Sequence, residues 1–132
     1  MILAFWASCA EPYQPSLADI RRLGYNSNMS LRGKFRKGKG CSQCRYTGYK
    51  GRIGAFELLV LDESVREAII IQKTSQEIRK ISIESTGLVT LLEDGIYKAA
   101  CGLTTIEELL RCLPRLQKPR TIEELQLLVG KA

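Results

Sequence analysis

The sequence contains no histidine. That absence excludes Cys2His2 fingers, histidine-based catalytic triads and HExxH metalloprotease chemistry. Long hydrophobic runs are missing too. The longest near the N-terminus, Met1 to Ala7, is too short to span a bilayer and lacks the basic flank of a signal peptide. Acidic residues are absent from one whole segment: between Arg21 and Arg52 lie ten basic residues and no aspartate or glutamate. The other ten basic residues and all 14 acids fall outside it, so the formal charge of +6 joins a strongly basic segment to a mildly acidic remainder. A phosphate loop is also missing, because Gly38-Lys39-Gly40 lacks the GxxxxGK[ST] spacing and its strand–loop–helix setting. Glu93 and Asp94, adjacent on an expected helix, diverge rather than converge as a catalytic carboxylate pair.

What is present reads as a soluble globular chain of 132 residues, 45% apolar and 26% charged. With no secretory signal, the expected location is the cytoplasm. An odd number of cysteines, five, with a Cys41-x-x-Cys44 pair, then favours metal or free thiols over a disulfide framework. The charge asymmetry divides the chain into a basic, cysteine-containing unit, residues 1–52, and a helical unit, residues 53–132.

The expected fold is mainly α: a small irregular zinc-loop subdomain, one short strand, then a helical C-terminal bundle. Leu17 to Leu23 reads as a short helix capped by Ser16 and stopped by Gly24. Residues 25 to 51, rich in glycine, serine and asparagine, read as loops and tight turns. Arg52 to Leu61 (RIGAFELLVL) reads as a strand. Helices follow: one capped by Asp62 or Ser64, with Val65, Ala68 and Ile69 apolar; one from Ser75 to the Gly87 stop, with Ile78, Ile81 and Ile83 apolar. Thr90 to Ala100 comes next, with Leu91, Leu92, Ile96, Tyr97 and Ala100 inward. Thr105–Glu108 and Thr121–Glu124 each spell a capping box. Cys101 and Cys112 lie within helical patterns and read as core residues.

The strongest local chemical signal is Gly40-Cys41-Ser42-Gln43-Cys44, followed by Thr47-Gly48-Tyr49. Two thiolates on a glycine-opened turn can chelate one zinc ion with N–H groups aimed at the sulfurs, and Cys9 is a plausible third ligand. The other reading is that these are reduced turn thiols holding nothing. The basic segment, interleaved with Tyr25, Phe35, Tyr46 and Tyr49, admits a zinc-ribbon-like nucleic-acid binder. A solvated or protein-docking basic face is preferred, because no complete reader motif appears.

One pattern resembles a known family. Gly40-Cys41-x-x-Cys44-x-x-Thr47-Gly48-Tyr49-x-Gly51-Arg52-x-Gly54-x-x-Glu57-Leu58-Leu59 is similar to the C-terminal part of type II secretion and type IV pilus assembly ATPases, the GspE/PilB class. Leu92-Glu93-Asp94-Gly95 with Lys98, Gly102-x-Thr104-Thr105-x-Glu107-Glu108-Leu109-Leu110-Arg111 and Cys9-Ala10-Glu11-Pro12-Tyr13 agree in order and spacing, so the likeness runs from about residue 9 to residue 112. It implies a metal-binding subdomain and a helical C-terminal subdomain of a cytoplasmic hexameric motor. Such a motor moves pilin or pseudopilin through an inner-membrane platform protein. The family's phosphate loop and catalytic histidine boxes belong to its upstream part, so the expected role of this chain alone is non-catalytic, without an ATP site. Its partners would be the ATPase core or neighbouring subunits.

The resemblance implies zinc ligands at Cys9, Cys41 and Cys44, but the family's first cysteine of the four falls at Trp6. Water or Glu11 would complete the sphere, and weaker zinc affinity follows. Met1 to Phe5 departs from the family pattern, which suggests an excised domain or a truncated gene product. The tail from Pro114 to Ala132 lies beyond the likeness and is expected to add a helix.

Overall fold

The computed structural model describes residues 1–26 and 31–129. Parts of the expected 25–51 loop (27–30) and of the tail (130–132) lie outside the described residues. The fold is mainly helical. The elements run β1 (Ile2–Phe5), a 3-10 turn (Ala7–Cys9), β2 (Ala10–Pro12), α1 (Leu17–Leu23), β3 (Arg36–Gly38), a second 3-10 turn (Ser42–Cys44) and β4 (Tyr49–Ile53). Five helices follow: α2 (Glu63–Ile70), α3 (Ser75–Thr86), α4 (Leu91–Ala100), α5 (Ile106–Cys112) and α6 (Ile122–Val129).

Local chemistry explains most helix ends. Ser16, Thr74 and Thr90 each accept from the backbone N–H three residues on, and Asp19, Glu77 and Glu93 answer with their carboxylates. Asp62 caps α2 and Thr121 with Glu124 closes the box on α6. Gly24 (φ 103°) and Gly87 (φ 70°) stop α1 and α3 in the left-handed region that glycine enters without strain.

Four expectations need correction. The strand is Tyr49–Ile53, not Arg52–Leu61; residues 54–61 carry no regular structure, because no strand edge lies beside them among the described residues. The loop-rich region 25–51 contains β3 and the start of β4, and the apolar start of the chain becomes β1. β1 pairs antiparallel with β4 (Ile2 opposite Ile53) and β2 with β3 (Glu11 opposite Lys37). Cys101 and Cys112 are exposed, not core, because they end α4 and α5 on the solvent side. The Thr105 box is only half made. The Thr105 hydroxyl accepts from Glu108 N at 3.2 Å, but the Glu108 carboxylate faces elsewhere.

The core joins the first 35 residues to α4, α5 and α6. Ile2, Ile20, Leu23, Tyr25, Leu31 and Phe35 pack with Leu92, Ile96, Ala99, Ala100, Ile106, Leu109, Ile122 and Leu125. The apolar stripe of α4 supplies its centre. In α3 the fully buried residue is Ser82, whose hydroxyl donates to the Ile78 carbonyl at 2.8 Å, while Ile78, Ile81 and Ile83 are half-buried. By contrast, Phe56, Leu58, Val60, Leu61, Ile70 and Ile71 are all exposed.

Two buried carboxylates bind distant segments together. Glu108, 3% exposed, accepts from Leu3 N at 2.9 Å and takes a forked pair of bonds from Arg111 at 2.8 and 2.9 Å. Glu93, equally buried, accepts from Arg120 Nε and Nη2 at 2.9 and 2.7 Å and from Arg120 N at 2.9 Å, so the tail is tied to α4. Burial raises the Glu93 carboxyl, but the Arg120 guanidinium, the Thr90 N–H and the Arg120 N–H outweigh it and hold the pKa below its ordinary range.

Arg120→Ala strands that buried charge and is expected to cost about 3 kcal/mol in urea unfolding. Because the folded pKa lies below the unfolded one, the contribution of Glu93 is full above the ordinary carboxylate pKa and is lost as pH falls through the folded value. Wild type and Arg120→Ala therefore converge in stability at acid pH; a pH-independent difference would contradict this role.

Candidate metal centre

The centre begins with backbone crowding. Gly38 and Gly48 cross so closely that a Cβ on Gly38 would overlap the Gly48 backbone, and Gly48 itself sits at φ 79°. Gly40, at φ 95°, passes Tyr46 in the same way. Arg45 (φ 53°) and Tyr46 (φ 60°) then enter the left-handed region consecutively, which non-glycine residues do at a cost of roughly 1–3 kcal/mol each. These bends turn the Ser42–Cys44 segment back on itself, with Tyr46 N donating to the Cys41 carbonyl at 2.8 Å and the Thr47 hydroxyl to the Cys44 carbonyl at 2.7 Å. Cys9 arrives from the opposite direction: Lys39 N donates to its carbonyl at 2.9 Å, just beyond the β2–β3 pairing.

The result brings the three expected ligands together. Cys9, Cys41 and Cys44 have Sγ atoms all within 4.8 Å of one another. Cys44 Sγ lies 3.6 Å from Cys41 Sγ and 3.8 Å from Cys9 Sγ. A tetrahedron with zinc–sulfur bonds of about 2.3 Å has edges of about 3.8 Å, so the donor set fits a zinc ion at three corners. Cys44 is buried, while Cys9 and Cys41 are half-buried.

Electrostatics favour thiolate at Cys44. Burial alone would raise its pKa, but the N–H groups of Cys41 (3.2 Å) and Gly48 (3.3 Å), with the Cys41 and Cys9 thiols, outweigh it and bring the group down to about 6. Cys9 shifts upward, chiefly through burial and through sharing its site with the other two sulfurs. Glu11, expected as a possible fourth ligand, instead faces Lys39 at 3.7 Å and is not part of the sulfur group. The reason is register: on β2 it lies opposite the basic strand β3.

Sequence reading anticipated N–H groups aimed at the sulfurs but did not place them on Cys41 and Gly48, which supply them; the Gly38 and Gly48 spacing was the available signal. It also missed how the loop is anchored to the helices. Tyr49 Oη and Thr105 Oγ1 lie 2.6 Å apart, and Lys34 N donates to the Ala100 carbonyl at 2.8 Å. A polar cleft of about 380 Å³ beside this anchor is lined by Tyr13, Asp19, Arg22, Lys37, Tyr49 and Glu107. There burial and nearby carboxylates push the Tyr13 phenol up to about 12. Of the ten cations between Arg21 and Arg52, Lys39 forms an ion pair among the described residues; Lys37 and Lys50 lie over the rings of Tyr13 and Trp6 at 5.8 and 4.2 Å.

Fold and cysteine group together define a helical module with a thiol-lined loop, and comparison with known proteins supplies its lineage. The type II/IV secretion system protein family matches residues 7–111. The chain is 43% identical over 102 residues to the type IV pilus assembly ATPase PilB of Thermus thermophilus, covering 77% of this chain and 11% of that protein. It is 33% identical over 104 residues to type II secretion system protein E of Pseudomonas aeruginosa, covering 79% and 20%. With type II secretion system ATPase E of Vibrio cholerae the identity is 31% over 103 residues, covering 78% and 20%. This chain belongs to the type II/IV secretion system protein family. It spans a fifth or less of the length of these relatives.

Gly48→Ala forces a Cβ to within 2.9 Å of the Gly38 carbonyl at a positive φ. It is expected to destabilise the chain by about 1–3 kcal/mol in urea unfolding. An unchanged midpoint would show that the crossing does not shape the loop.

Proposed function

We propose that this chain is a non-catalytic part of a type II secretion or type IV pilus assembly ATPase, whose zinc-held loop stiffens a platform for the helices. In this reading residues 1–52 form the metal-binding subdomain and residues 53–132 the helical one. The observation that carries it is the convergence of Cys9, Cys41 and Cys44 at zinc-like spacings within the family's own motif. Zinc would be held by those three residues and would supply structure, not chemistry. It locks a glycine-rich excursion that has too few apolar side chains to hold its own shape.

The helical part then docks on the ATPase core or a neighbouring subunit of a hexamer and transmits its motion toward an inner-membrane platform protein, driving pilin or pseudopilin movement. Phe56, Leu58, Val60 and Leu61, all exposed on one short segment, support a docking role, since clustered exposed apolar side chains mark interaction surfaces. Nucleotide binding belongs to the rest of the motor, and the working location is the cytoplasm. No helix among the described residues is long and apolar enough to cross a membrane.

Elemental analysis of the purified chain is expected to give one zinc per chain, lost in Cys41→Ser. Thiol titration of the same samples checks it independently. The exposed Cys101 and Cys112 react in the loaded protein, and all five cysteines react once a chelator is added. Five fast thiols without chelator, and no zinc, would remove the metal reading.

A further inference from the structure

The two turns of the centre are built alike. Cys41 stands extended before the 3-10 turn Ser42–Cys44, and Trp6 (φ −86°, ψ 113°) stands extended before Ala7–Cys9. Each turn ends on a cysteine whose sulfur reaches back to the carbonyl three residues earlier, Cys44 to Cys41 at 3.4 Å and Cys9 to Trp6 at 3.7 Å. By backbone position, Trp6 is therefore the counterpart of Cys41. It cannot act as one, because an indole N–H is a donor only. Among the described residues no fourth cysteine, histidine or carboxylate joins the sulfur group, and Glu11 is engaged by Lys39.

Two further features mark the surroundings of Trp6. Its Nε1 is buried with no hydrogen-bond partner, and the Lys50 ammonium lies 4.2 Å from its ring centroid. Lys39, Arg45 and Lys50 are exposed around the loop, and the half-buried Cys9 and Cys41 leave the centre within reach of solvent. Three thiolates on a divalent ion carry one net negative charge. A fourth anionic sulfur adds another, which this cationic setting offsets and an acidic one would not.

We propose that the centre is an open three-thiolate site that takes its fourth ligand, a small thiolate, from solution. The proposal rests on the metal reading above. On binding, the incoming sulfur would take the corner that water otherwise completes, the water would leave to solvent and the thiol proton would pass to the buffer, so no oxidant or reductant is involved.

Cobalt(II) serves as a spectroscopic replacement for zinc. The full chain is loaded with cobalt and titrated with 2-mercaptoethanol while the visible ligand-field bands and the sulfur-to-cobalt charge-transfer band are followed. A saturable shift of the visible bands is expected, with charge-transfer intensity rising by about one third as three sulfurs become four. Trp6→Cys completes the set within the chain, so its spectrum starts at the four-sulfur position and the thiol response is lost. Wild type that binds cobalt yet ignores the thiol overturns the open site and leaves the metal reading intact. A chain that takes up no cobalt overturns both.

Discussion

Three sulfur atoms in one small volume are the constraint on which the N-terminal architecture depends. Cys9 precedes β2, whereas Cys41 and Cys44 bracket a turn after β3, so their meeting fixes how these segments cross. Little else nearby could do so. From Arg36 to Arg52 the buried positions are Cys44 and Gly48, and every cation but the half-buried Arg36 is exposed. A segment with so little apolar surface cannot offset its conformational entropy by burial alone. Close glycine crossings, sulfur-directed N–H groups and the convergent thiols take the place of a core.

The helical part solves a different problem with buried charge. α4 and α5 each carry an acid in the interior, Glu93 and Glu108, and each acid gathers backbone from far along the chain. Glu93 holds the segment leading into α6, and Tyr25 Oη donates to the Arg120 carbonyl at 2.7 Å from the other side. Glu108 receives β1, whose Leu3 carbonyl also accepts from the Thr104 hydroxyl at 2.8 Å. Buried pairs of this kind add little net stability compared with apolar packing but are costly to break singly. Here they set register: they decide where β1 and the tail sit. Through β1 and β4 that placement reaches the sulfur group, since Trp6 N donates to the Gly48 carbonyl at 2.8 Å.

Much of this was legible from residue order because it is local. Caps at Ser16 and Asp62 and stops at Gly24 and Gly87 act within four residues, and the Cys41-x-x-Cys44 turn is itself a local unit. What escaped was non-local. The run from Arg52 to Leu61 has the apolar content of a strand, yet a strand needs a facing edge, and past Ile53 none is present among the described residues. The Thr105 box fails because Glu108 is claimed by Leu3 and Arg111, neither of which is visible in a four-residue motif. Cys101 and Cys112 fit the helical pattern, but their helices end where they stand, leaving both thiols outside. The likeness of the Trp6 and Cys41 turns appears only once both backbones are seen.

X-ray absorption at the zinc edge tests the central claim most directly, because it counts the sulfur atoms around the metal. The account predicts a zinc shell at about 2.3 Å dominated by sulfur in protein prepared without added thiol, with three sulfurs per metal. A first shell made mainly of oxygen or nitrogen would contradict it, as would four sulfurs in that preparation.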